Sequence, residues 1–435
     1  MSADTADALL GAVDPSRLRP DQQRVLADLT ELAGLVESAE PGFSRRVFSD
    51  AYRAGREWVR DRMRTAGLEA HIDPAGNVVG VLRGANSALK PLMTGSHTDT
   101  VHAGGRYDGI VGVLGGIEVA RRLREEGITL SRDLYVVDFL GEEANSFGVS
   151  CIGSRSIAGL LLPEHLERTD GESALRLGDA MTGFGLDTSG ALGQAWTPGS
   201  LHAYLELHIE QGPQLERSGT QIGVVTAIAG IERLMAAFSG RADHAGTMPM
   251  QGRHDALIAA AEAILTIERE ACGAPIHGVS TTGRIESSPG SFNIVPDEAR
   301  IWAEMRSVDA SWLHGAKRRV AEDIAAGAAL RGVETAIEWL NDQDPVAADP
   351  DLQRLLGEAA DALGYTWEAV PSGAGHDAAH LARLGPMGMI FVPSVGGRSH
   401  VPEEFTEADD IAVGIHVLAT ALVAADRSER PLVAS

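Results

Sequence analysis

The chain has 435 residues, 44% hydrophobic and 23% charged, with 61 acidic against 37 basic residues and a formal charge of −24. That length is too great for one ordinary compact core and predicts two domains, while so acidic a surface repels nucleic-acid phosphates and anionic membranes. Two cysteines, Cys151 and Cys272, cannot build a disulfide framework and are expected as buried apolar thiols in a reducing, cytoplasmic compartment.

The first residues lack a basic stretch followed by an apolar core, so no secretory signal is expected. No apolar run of about 18 residues is read as a membrane span. In chain order, apolar periodicity predicts helices over 22–35 and 48–66. LEAHIDPAGNVVGVLRG reads as a hairpin with Pro74 and Gly76 at its turn. Residues 92–95 form a short buried strand running into SHTDT, and 110–126 a helix closed by Gly127. The continuous apolar strand LYVVDFL, 134–140, belongs inside an α/β sheet and ends at Gly141, Glu142 and Glu143. Strands alternating with helices predict a layered α/β domain.

From about 223 to 332 the order changes. A strand (VVTAIAGIERLMAAFSG), a helix over 253–270, strands over 278–286 and 298–306, and a helix over 310–330 make two strand–helix units of an α+β sandwich. A strand over 335–340, a helix over 350–363 and a strand over 389–393 are expected to resume the first domain. The expected organisation is therefore a discontinuous domain, 1–215 with 333–435, and an inserted one, 216–332.

The chemistry gathers at strand ends. His97 and Asp99 stand two apart in GSHTDT and point to one face, so one can bind a metal while the carboxylate orients the imidazole. Asp108, in GGRYDGIVG, reads alone as a helix cap, but a carboxylate so close after His97 can also bridge two cations. Glu142 and Glu143 follow a buried strand, where ligand sites are expected, and adjacent carboxylates suit one metal ligand and one general base. In AYLELHIEQGP, alternation sets Glu206, His208 and Glu210 opposite Leu205, Leu207 and Ile209, which suits a strand lining a cleft and equally a solvent-facing edge strand. His400 lies in GGRSHVPEE after the apolar strand MIFVP. Histidine and carboxylate donors without cysteine suit Zn²⁺ or Mn²⁺, and the reaction class is metal-assisted hydrolysis. VGVLGG lacks the GxGxxG spacing, and there is no GKS or GKT phosphate loop.

Read together, GSHTDTVHAGGRYDGIVGVLGGIEV, FLGEEANSFGVSCIGSR, ELHIEQGPQLE, GRADHAGTMPMQGRHDA, SFNIVPDEARIWAEMRS, SGAGHDAAH and MIFVPSVGGRSHVPEEFT resemble the M20 metallopeptidase superfamily. ELHIEQGP and SGAGHDA point to its hydantoinase/carbamoylase branch, which holds N-carbamoyl-L-amino-acid hydrolases, allantoate amidohydrolases and β-ureidopropionases. The resemblance implies a di-metal aminopeptidase-like α/β catalytic domain with an inserted two-layer α+β lid that also makes a homodimer. It implies metal ligands at His97, Asp108, Glu143, His208 and His400, with Asp108 bridging and Asp99 behind His97. Glu142 matches the general base, and His244 a histidine that binds substrate and stabilises the oxyanion. Asn293 and Arg306 match substrate-binding positions, Arg306 for a carboxylate, and Gln211, Gly375 and His376 match other pocket positions. Two divalent ions per subunit are implied, Zn²⁺ first and Mn²⁺, Co²⁺ or Ni²⁺ as alternatives. The implied substrate is a small N-carbamoyl-L-amino acid or related ureido acid. An M20-type peptidase or N-acyl-amino-acid deacylase is the alternative. The chain departs from the branch at EEANSF, at Gly141 and at Glu304, which bears on substrate identity.

Overall fold

A computed structural model describes residues 10–11, 13–171, 173–275 and 277–428, with 340–342 described as backbone only. The chain divides into two units: Met1–Thr226, Ala348–Val370 and His376–Ser435 form the first, and Ala227–Ala347 with Pro371–Gly375 the second.

The first unit is built on a sheet with strand order β1 (Glu69–Ile72), β2 (Val78–Leu82), β4 (Leu134–Phe139), β3 (Leu92–His97), β5 (Ala203–Ile209), β13 (Met387–Val392) and β6 (Ile222–Ile228). The outer pairs are antiparallel, but β4, β3, β5 and β13 run parallel. Every residue of β3, β5 and β13 is buried, and burial on both faces accounts for the continuous apolar run of β13. The helices Ile110–Glu125 and Ala408–Arg427 share one apolar core with these strands. Ala408–Arg427 is long and apolar enough to cross a membrane, which the sequence reading did not pick out. Yet 78% of its apolar window is buried within the protein, as in a core helix. A second core gathers Tyr52, Leu140, Phe147 and Ile152. Cys151 is buried as expected, but Cys272 is exposed at the end of its helix.

The second unit carries an antiparallel sheet ordered β10 (Glu334–Gln343), β7 (Gly230–Ser239), β9 (Glu298–Ser307) and β8 (Gly278–Ser288). The helices Ala256–Cys272 and Ala310–Leu330 share a core with it, and Asp255 and Asp309 cap their first turns. Two expectations are corrected here. The stretch read as one strand is two, β6 and β7. The strand expected to resume the first domain is β10, which pairs along β7 and packs Ile337 and Trp339 against the helix core. Apolar residues at alternate positions therefore tie it to the second unit, which runs on to Ala347 where 332 was expected. Two short strands complete the set: β11 (Val346–Ala347) pairs with Ala227 and Ile228, and β12 (Trp367–Ser372) pairs with β6.

Candidate metal centre

Four parallel strands leave their C-terminal ends at one edge of the sheet, where α/β folds place their sites. His97 ends β3, and Asp99 and Asp108 follow it. Glu142 and Glu143 follow β4, His208 lies in β5 with Gln211 just beyond, and His400 follows β13. The structure brings these residues together. Neither bland reading of Asp108 and His208 holds. The helix Ile110–Glu125 is capped by Gly109 with no side-chain hydrogen bond, and β5 is a central strand rather than an edge.

Asp108 is the hub. Its Oδ1 lies 3.2 Å from His208 Nε2 and 3.5 Å from His97 Nε2, while Oδ2 lies 3.5 Å from His400 Nε2. His400 Nε2 is also 3.5 Å from Glu143 Oε1. Two groups of donors therefore share one carboxylate: His97, Asp108 and His208, and Asp108, Glu143 and His400. Within each, one donor atom per residue lies within 4.8 Å of the others. Gly109 makes this approach feasible. Its φ is +69° and a Cβ there would sit 2.4 Å from the His97 ring, so glycine is required.

The imidazoles are oriented from behind by backbone. His97 Nδ1 is 3.1 Å from the Asp99 carbonyl and His208 Nδ1 is 2.9 Å from the Ile209 carbonyl. A carbonyl only accepts, so each Nδ1 carries the proton and each Nε2 faces Asp108. The Asp99 carboxylate was expected to do this for His97, yet it stands 3.7 Å away. It accepts instead the N–H groups of Glu142 (3.2 Å) and Glu143 (3.0 Å), fixing the loop that carries both glutamates. Glu142 Oε2 reaches to 3.6 Å from His97 Nε2.

His97, Asp108, Glu142, Glu143 and His208 are all buried. Burial pushes Glu142 and Glu143 well above the usual carboxylate range. Asp377, Glu143 and Asp99 add to this at Glu142, and Asp108 and Asp99 at Glu143. Burial alone would raise Asp108, but His208 and His97 outweigh it and hold it well below. Burial alone would lower His97 and His208. For His97, Glu142, Asp108 and Asp99 outweigh it, and for His208, Asp108 and Glu206 do, so both stand above the usual imidazole range. Three close carboxylates facing three Nε2 atoms demand positive charge between them, as protons or as metal. The all-nitrogen-and-oxygen donor set fits borderline or hard divalent cations.

Comparison with known proteins places the chain in a family. Residues 85–424 match peptidase family M20/M25/M40. The chain belongs to that family. This M20 metallohydrolase is 36% identical over 406 residues to the N-carbamoyl-L-amino-acid amidohydrolase of Paenarthrobacter aurescens, covering 93% of this chain and 98% of that protein. It is also 36% identical over 414 residues to the ureidoglycolate hydrolase of Arabidopsis thaliana, covering 94% and 87%. The crystal structure of a hydantoinase/carbamoylase family amidase from Burkholderia multivorans superposes with a TM-score of 0.85 at 34% identity, over 94% of this chain and 99% of that one.

The remaining expected site residues of the M20 chain divide between its units. In the first, Gln211 Nε2 donates to Asp108 Oδ2 at 2.6 Å, leaving Oε1 buried without a hydrogen-bond partner. His376 stacks edge-on to His208 with ring centroids 4.7 Å apart. In the second, the exposed His244 and Asn293 lie on loops joined by the Ala245 N–H to Asn293 carbonyl bond (2.9 Å) and by a bridge from His244 to Ile294. Arg306 is occupied internally. Nε and Nη2 each lie 2.8 Å from Glu304 Oε1, and Nη1 donates to the carbonyl of Gly373, two residues before Gly375.

Sequence reading missed three contacts. Ser399 Oγ lies 2.6 Å from Asp108 Oδ2 and 2.8 Å from Glu404 Oε2, with one proton to share between the two carboxylates. Its place beside His400 was the available signal. Glu206 is fully buried behind His208, accepting from Ser96 and Tyr204 hydroxyls at 2.8 Å. The Cys151 thiol lies 3.5 Å from Glu142 Oε1, which no spacing in the sequence announces.

Proposed function

We propose that this chain hydrolyses the ureido C–N bond of an N-carbamoyl-L-amino acid or a closely related ureido acid. The observation that carries the reading is Asp108 standing between three imidazoles, with Glu143 and Glu142 beside it. His97, Asp108 and His208 would hold one divalent ion and Asp108, Glu143 and His400 a second, Zn²⁺ first, with Mn²⁺, Co²⁺ and Ni²⁺ as alternatives. Such ions, when bound, lower the pKa of water and polarise the attacked carbonyl. Glu142 takes a proton from the attacking water and returns it to the departing amino nitrogen. Its raised affinity for a proton, set by burial, suits it to both transfers. The amino acid leaves, and the carbamic acid falls apart to CO₂ and ammonia.

The two relatives support a ureido acid rather than a peptide, since their names specify N-carbamoyl amino acids and ureidoglycolate. His244, Asn293 and Arg306 are assigned to substrate on resemblance alone. A homodimer is part of the proposal, supported by the exposed edge strand β8, where Val279 and Ile285 are 44% and 46% exposed. The free cysteines suit a reducing compartment. The test is ammonia and amino-acid release by metal-reconstituted enzyme across N-carbamoyl, N-formyl and N-acetyl amino acids, allantoate, ureidoglycolate and dipeptides. Highest kcat/KM on a ureido acid is expected. Turnover confined to dipeptides or N-acetyl amino acids overturns the substrate assignment.

A further inference from the structure

We infer that Glu404, four residues beyond His400, is the positioning residue that sets Asp108 and His400 at their working separation. The inference rests on the reading of those two residues as metal ligands.

His400 is the ligand candidate that packing holds least. Its side chain is 49% exposed and its backbone has a φ of +58°, an unfavourable region for a residue with a Cβ. Such a conformation persists only when neighbouring contacts impose it. The loop bearing it is fastened through Glu404, which is buried. Glu404 Oε1 accepts the backbone N–H groups of Tyr107 (2.9 Å) and Asp108 (3.1 Å). Oε2 accepts the Ser399 hydroxyl at 2.8 Å, and that hydroxyl is itself 2.6 Å from Asp108 Oδ2. One carboxylate thus ties the segment after β3 to the segment after β13, with one oxygen on each. The Glu404 N–H closes a turn on the Val401 carbonyl, holding the His400 segment against its own anchor.

The opposite loop is shaped to admit it. A Cβ on Gly105 would lie 2.1 Å from Glu404 Oε1, so only glycine leaves room for the carboxylate. Tyr107 adds an edge-on contact to Phe405, ring centroids 5.6 Å apart, between the same two segments. Glu404 therefore acts through the Asp108 backbone and the Ser399 hydroxyl. Outer contacts of this type set how tightly a metal is held, and their loss typically weakens binding about 10–100-fold.

The experiment compares metal-free native chain with Glu404→Ala, Glu404→Gln and Ser399→Ala. Zn²⁺ and Mn²⁺ affinities are read by chelator competition and bound metal is counted per subunit. The native chain is expected to take two ions. Glu404→Ala is expected to bind one of them about 10–100-fold more weakly, with kcat recovered at saturating metal. Should Glu404→Ala fail to fold, Glu404→Gln, which keeps the volume and one acceptor oxygen, decides. A merely structural Glu404 would lower the melting temperature of the metal-free variants and leave both affinities unchanged, and that result overturns the inference. A native chain that takes up no divalent ion defeats the ligand reading as well, so the two failures are distinguishable.

Discussion

Asp99 serves the site by holding backbone. Its carboxylate accepts two buried N–H groups, and hydrogen bonds to a charged group contribute about 1.5–3 kcal/mol. Asp99→Ala is expected to destabilise the fold by about 2–5 kcal/mol, since both donors are then left buried and unpaired, as chemical denaturation would read. A loss below about 1 kcal/mol would show that the loop is held elsewhere. Glu142→Gln is expected to keep its metal content and lower kcat by about 10²–10⁴-fold, and near-normal turnover would reject Glu142 as the base. The buried groups also give the metal-free protein a defined pH response. Glu142, Glu143, His97 and His208 all titrate higher folded than their ordinary values. The folded state therefore holds the extra protons, and the stability these groups contribute is present at low pH and lost as pH rises through the folded values. Asp108, held low, has the opposite sign: its contribution is present above 3.8 and is lost as pH falls below that value. The four raised groups should therefore pull the melting temperature of metal-free protein down as pH rises above 4.5, the ordinary value of the two glutamates. Because metal displaces those protons, the gap to metal-loaded protein should widen over the same range, and calorimetry at several pH values would show either trend failing.

At the scale of elements, the helix Ile110–Glu125 lies close on the sheet because its inner residues are small. A Cβ on Gly112 would come 2.4 Å from the Leu207 carbonyl oxygen and 2.8 Å from Ser96 Cβ. Gly112→Ala is expected to destabilise by about 1–3 kcal/mol through overpacking and to disturb His97 and His208, which flank that contact in β3 and β5; an unchanged denaturation midpoint would contradict it. The apolar strands and the helices were legible in the sequence because their periodicity is a local property. That His97, Glu142 and His400 sit at strand ends was also legible. What sequence could not supply was direction. Only the parallel pairing of β4, β3, β5 and β13 puts those ends on one edge. The direction in which the Asp99 carboxylate turns, and Glu304 occupying Arg306, are side-chain choices that spacing leaves open.

For the whole molecule, chelation is the broadest test. Stripping divalent ions should abolish turnover and lower the melting temperature, since an ion present at 100 times its Kd stabilises by about 2.7 kcal/mol. Full activity in protein shown free of metal would refute the centre. The proposed homodimer predicts a light-scattering mass of about twice 45.8 kDa, and a charged substitution such as Ile285→Glu on β8 should shift it towards one subunit. The alternating ETAIEWLNDQ of β10 differs from the continuous apolar runs of β4 and β13, and its pairing with β7 assigns it to the second unit.

The place of β13 bears on how the chain is made. Met387–Val392 is inserted between β5 and β6, two strands completed more than 150 residues earlier. While the chain leaves the ribosome, β5 presents a bare apolar edge to the cell for the whole time the second unit is being synthesised. A nascent protein truncated before 387 would be a magnet for chaperones and for its own copies, and it could trap no ion at His400, the last-made of the three imidazoles.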